Sequence, residues 1–151
     1  KLSFALFHNR NLAEAWRQQL GDSFKRSLEA LLPQTWVVDP APIPPHAAYP
    51  GLDLTDWEQL KDLSQKDRNL ILKISGFSEK AWGARGVWLG SDLPRDEWAA
   101  AVEQALSEFE RSPRILQRYQ QPARVDAEWF DFTLGQAQPV VRCCKSRHRT
   151  Q

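Results

Sequence analysis

The sequence predicts a mixed α/β fold, and three observations carry that prediction. Short apolar runs of strand length, "TWVVD" from Thr35, "LILKI" from Leu70 and "RILQRY" from Arg114, alternate with segments whose apolar residues recur at helical spacing. The most regular of those segments runs from about Arg95 to Glu110. There Trp98, Val102, Leu106 and Phe109 share a stripe, and Asp96 and Glu97 suit the positive end of a helix dipole. A chain of 151 residues that is 42% hydrophobic and 26% charged has the composition of a globular protein with one sizeable core.

Taken in order, "LSFALF" (Leu2 to Phe7) is short and apolar and reads as a buried strand. Asn11 with Glu14 three residues on forms a capping box, and Leu12, Trp16 and Leu20 give the helix that follows one apolar face. Gly21 breaks that helix. Asp22 caps a second one, with Phe24, Leu28 and Leu31 on one side and Pro33 as its stop. After the "TWVVD" strand, "PAPIPPHAAYPG" holds too many prolines for regular structure and reads as an arm. Thr55 and Glu58 repeat the capping box for a helix presenting Trp57, Leu60 and Leu63. Strands at Leu70 to Ile74 and Gly86 to Gly90, the long helix, and a strand at Arg114 to Tyr119 complete the pattern. Three segments result: 1–52, an α/β segment of strand, helix, helix and strand ending in the proline arm; 53–125, a strand-loop-strand-helix-strand module; and 126–151, the start of a further subdomain or a tail.

A formal charge of +1 supplies no global field for nucleic acid or an anionic membrane, and no apolar run approaches the length of a bilayer span. The adjacent Cys143 and Cys144 make neither a disulfide framework nor a spaced zinc site, so a cytoplasmic location is expected. The chain has no methionine and opens on "KLSFALF", and it is expected to be a piece of a longer protein.

The stretch "LILKISGFSEKAWGARGVWLG" from Leu70 to Gly90 carries the chemistry. A lysine closing a strand beside glycine-bearing backbone is what a phosphate tail asks for: an ammonium charge, plus N–H groups that a ligand can approach closely. Lys73 with Gly76, Gly83 and Gly86 meets that demand. No Gly-Lys-Ser/Thr follows the glycines and no helix opens from the loop, so a P-loop is excluded.

The order strand-lysine, glycine loop, strand, helix, strand resembles the nucleotide-clamping lid of the ATP-grasp family. The tryptophan in the helix and the "ILQ" of the last strand look most like its circularly permuted, glutathionylspermidine-synthase-like group. The resemblance covers roughly residues 57–125. It implies ATP and magnesium as cofactors, with an unknown carboxylate and an amine as substrates of a ligase that forms an acyl phosphate. It implies nucleotide contacts from Lys73, Ser75, Gly76, Ser78, Gly83, Arg85 and Gly86 around the phosphates, and from Gln117, Arg118 and Tyr119 beside adenine. The family's magnesium-binding acidic residues lie beyond the hinge, so they are expected outside this chain. The chain alone is therefore expected to be inactive, and no catalytic residue is assigned.

Plainer readings stand beside these. Lys73 alone is a surface lysine at a strand end, the glycines serve any long hairpin loop, and Lys80 is a charged loop residue in water. Asp126, Glu128 and Asp131 read as a solvated strand or turn, the basic run from Arg142 to Arg149 as a tail, and His8 and His46 as structural or exposed. The alternative function is a non-catalytic domain that binds a protein or nucleic acid through its tryptophans and basic tail. The near-zero net charge does not favour nucleic acid.

Overall fold

The computed structural model describes residues 1–44, 48–75, 78–81, 85–121 and 127–140, and the fold is mixed α/β. The chain divides into two units, Lys1–Tyr119 and Gln120–Gln151. In the first, β1 (Thr35–Val37), β2 (Leu70–Ile74), β3 (Val87–Leu89) and β4 (Arg114–Arg118) form an antiparallel sheet of order β1-β4-β2-β3. The helix α4 (Arg95–Ser107) leads from the edge strand β3 back to β4 in the middle of the sheet.

Strand alternation gives the sheet two faces. Leu70 and Leu72 of β2, Trp36 of β1 and Leu116 of β4 pack on one side against Trp98, Ala101, Val102 and Ala105 of α4. Trp98 is fully buried and its indole N–H donates to the Leu60 carbonyl at 2.8 Å, which anchors α4 to the segment before β2. Each large aliphatic side chain removed from water here contributes roughly 1.5–3 kcal/mol. The glycine at position 90 lets this layer close, because a Cβ there would lie 2.8 Å from the Arg68 carbonyl oxygen and 3.2 Å from the Trp98 ring.

Several expected elements change character. "LSFALF" is a helix, α1 (Leu2–Phe7), and not a strand. None of its six residues is β-branched, so local propensity does not oppose a helix, and Ala5 and Phe7 bury themselves with α1 lying against β1. The first cap is Asn9, whose side chain accepts from the Asn11 N–H at 2.9 Å, and α2 (Ala13–Leu20) starts after that turn. Gly21, at φ 73°, separates α2 from α3 (Asp22–Leu31), on which Phe24 and Leu31 are exposed.

The "TDWE" segment is a 3₁₀ helix, Trp57–Asp62, and not an α-helix. Asp56 caps it by accepting from the Glu58 N–H at 2.8 Å, while the Gln59 amide closes on Thr55 from both its oxygen and its nitrogen. Its apolar residues, Trp57, Leu60 and Leu63, recur every three positions, and side chains three apart eclipse in a 3₁₀ helix. The long helix ends at Ser107, so Phe109 lies past it, and Ala101 and Ala105 complete its buried face. In the second unit β5 (Ala127–Asp131) pairs with β6 (Gln136–Val140) across a turn in which Asp131 accepts from the Thr133 and Leu134 N–H groups.

Candidate functional site: a half-buried lysine and an arginine-lined cavity

Lys73 occupies the face of β2 that turns away from α4, since Leu70, Leu72 and Ile74 take the core side. Gln117 of β4 pairs with Ile71, two residues away on that same second face, so its amide is a diagonal neighbour of the lysine. The Lys73 ammonium donates to Gln117 Oε1 at 2.5 Å, Gln117 Nε2 donates to Thr35 Oγ1 at 2.9 Å, and the Thr35 hydroxyl donates to the Pro33 carbonyl at 2.8 Å. This relay spans β2, β4 and β1, and it holds the lysine in one place.

Its charge is not matched by an acid. Among the described residues no carboxylate pairs with Lys73. Burial, and then the nearby Lys1 charge, push the Lys73 ammonium below its usual range. Lys1 itself donates to the Ala81 carbonyl at 2.6 Å and to the Ile74 carbonyl at 3.4 Å, which ties α1 to the strand end. Two cations thus stand close together where backbone carbonyls and an amide oxygen are their partners. An anion placed there gains charge-assisted contacts and relieves the repulsion.

Among the described residues that follow, Ser75, Ser78 and Arg85 line a cavity that Lys73 does not. Ser75 lies just past the end of β2, donates its backbone N–H to the Pro113 carbonyl at 3.0 Å, and is buried. With Ser78 and Arg85 it lines this cavity of about 910 Å³, which also touches Ile74 and Trp88 of the sheet and Gln104 of α4. Gly86 is buried and its carbonyl accepts from the Ile74 N–H at 2.9 Å. Gly76 and Gly83 lie outside the described residues. Among the described residues, the expected phosphate set is thus divided between the lysine face and the cavity.

The expected hinge residues are hydrogen-bonded within the first unit. The Arg118 and Tyr119 N–H groups donate to the Gln34 and Asn69 carbonyls, and the Arg118 side chain donates to the Gly51 carbonyl. These two N–H groups are already committed within the sheet, so Gln117 acts here by fixing Lys73. The residues that sequence reasoning missed are Arg111 and Arg114. Arg114 is buried, donates to the Ala101 carbonyl and to Glu108, and lies 4.7 Å over the Trp88 ring. No spacing rule singles out a strand-opening arginine as a buried one; the Glu108 six residues earlier is the one available hint.

No group of three or more His, Cys, Asp or Glu is gathered for a metal among the described residues. No helix among them is long and apolar enough to cross a membrane. Comparisons with protein-family models, curated proteins and solved structures gave no match.

Proposed function

We propose that residues 53–125 bind ATP as an ATP-grasp-like lid, within a protein that ligates a carboxylate to an amine. The observation that carries this reading is Lys73: a half-buried ammonium fixed by Gln117 and unmatched by any described carboxylate, where a strand enters a glycine-bearing loop. In this reading the ammonium receives the nucleotide phosphates, Gln117 orients it, and the loop from Ser75 to Gly86 covers them. The rate contribution would be positioning and charge neutralisation. Magnesium bound to the nucleotide would take its carboxylate ligands from outside the described residues.

Calorimetric titration of the chain with ATP and with adenosine tests the reading. ATP binds, and adenosine, lacking the phosphates, binds at least about ten-fold more weakly, since one charge-assisted contact of about 1.5–3 kcal/mol is missing. Equal affinities would remove the phosphate role.

A specific observation favours the second reading, a protein-binding module, for the other unit. The β5–β6 hairpin leaves Trp129, Phe130, Phe132 and Leu134 exposed.

A further inference from the structure

We propose that the cavity at the end of β2 binds a small molecule carrying a carboxylate or phosphate group, held by Arg85 and Arg111. This site is separate from the Lys73 ammonium, which does not line the cavity. Its volume of about 910 Å³ suits a small-molecule ligand. Its walls combine the apolar Leu2, Ile74, Trp88 and Pro113 with three guanidinium groups, Arg85, Arg111 and Arg114.

The charge balance points to an anion. Two carboxylates, Glu79 and Glu108, also line the cavity. Glu108 is engaged by Arg114 at 2.8 Å, and the remaining charged lining residues, Arg85, Arg111 and Glu79, leave one positive charge in excess. Neither Arg85 nor Arg111 forms an ion pair with a described residue, and both are exposed. Guanidinium forks match the paired oxygens of carboxylates and phosphates, which is the chemistry that would recognise the ligand.

A second observation is independent of charge. Ser75 Oγ and Arg114 Nε belong to residues in this wall, are buried, and have no hydrogen-bond partner among the described residues. Buried polar atoms are ordinarily satisfied, so the wall carries unmet hydrogen-bonding capacity beside the arginines. Both atoms lie just beneath the cavity surface, so an oxyanion in the cavity reaches them through a small movement of the wall. Trp88, already under the Arg114 guanidinium, supplies an apolar flank for the rest of the molecule.

The test titrates the 151-residue chain calorimetrically with sodium succinate and with inorganic phosphate, using choline chloride at matched ionic strength as background. At least one anion binds above that background, and Arg85→Gln and Arg111→Gln each weaken it about ten-fold. The distant surface variant Arg95→Gln leaves it unchanged, and the arginine dependence of anion binding is read separately from the Lys73 dependence of ATP binding, so failure here is distinguishable from failure of the nucleotide reading. Binding of succinate alone identifies a carboxylate ligand, and binding of phosphate alone a phosphorylated one. Both arginines are exposed, and circular dichroism with thermal melting verifies that the variants stay folded. The proposal is overturned if neither anion binds, if both arginine variants bind like wild type, or if Lys73→Met abolishes the binding.

Discussion

Replacing Lys73 with methionine separates a ligand-binding lysine from a structural one. The substitution keeps most of the apolar stem and removes the ammonium, with its 2.5 Å bond to Gln117. Burial and Lys1 both disfavour the charged form, so the folded state gains little from that charge even with the hydrogen bond in place. What folding loses is one partner for the buried Gln117 oxygen, about 1 kcal/mol, and the desolvation of the ammonium is relieved in return. Stability in urea therefore changes by no more than about 1 kcal/mol. ATP affinity, by contrast, falls roughly ten- to a hundred-fold, the worth of a charge-assisted contact of about 1.5–3 kcal/mol. Linkage supplies a second readout. Because the folded state lowers this pKa from 10.5, the unfolded chain binds more protons between the lowered value and 10.5, and wild-type stability gains from Lys73 as pH rises through that window. Lys73→Met lacks that contribution. Calorimetry and urea unfolding on wild type, Lys73→Met and the exposed control Lys66→Met decide the matter. Unchanged ATP affinity in Lys73→Met, or a loss of about 3 kcal/mol or more of stability, would refute the reasoning.

Two further perturbations test the packing around the site. Gly90→Ala places a methyl 2.8 Å from the backbone oxygen of Arg68, which cannot swing aside; it should cost about 2–3 kcal/mol in urea unfolding, and an unshifted midpoint would contradict the close approach. Tyr49 stacks on Trp57 with ring centroids 3.8 Å apart, and burial, then Asp56 and Asp39, push its hydroxyl from 10.0 up to about 12. In Tyr119→Phe, which leaves one tyrosine, tyrosinate absorbance should rise near pH 12. The unfolded chain releases that proton first, so the stability Tyr49 contributes is complete below pH 10 and is lost as pH rises towards 12.

What the sequence made legible follows from how locally each feature is determined. The β2 strand was readable to its ends, because a short apolar run bounded by polar residues leaves little choice, and α4 was readable because its apolar stripe repeats at helical spacing over three turns. "LSFALF" was not, since a run of six residues carries too little periodicity to separate strand from helix; the decision lay in how α1 meets β1. Trp57, Leu60 and Leu63 did contain the answer, in a spacing of three where an α-helix would mix three with four. The site divides for a related reason. Alternation places Lys73 on the second face, but β2 ends at Ile74, and beyond that residue alternation no longer governs where Ser75, Ser78 and Arg85 go. The pairing of Lys73 with Gln117 across 44 positions depends on β4 entering the sheet between β1 and β2, which no local pattern encodes.

That division bears on how a ligase reading would work. Phosphorylating a carboxylate requires a nucleotide phosphate and the acid to approach one another, and each is an anion that repels the other. A single cation cluster would bring them together without ordering them. Here the end of β2 has Lys73 on one face, while the chain just beyond it enters a cavity with Arg85 and Arg111. In that reading the end of β2 borders two cationic sites with different companions: an amide relay through Gln117 and Thr35 for the lysine, and guanidinium forks with an aromatic flank for the cavity. The lysine is a point charge and the guanidiniums are planar forks, so the two sites discriminate by geometry as well as position. This makes the readings separable by substitution: loss of the ammonium acts on the nucleotide, loss of the forks acts on the oxyanion, and a variant that lowered both affinities equally would mean that the segment holds one anion site rather than two.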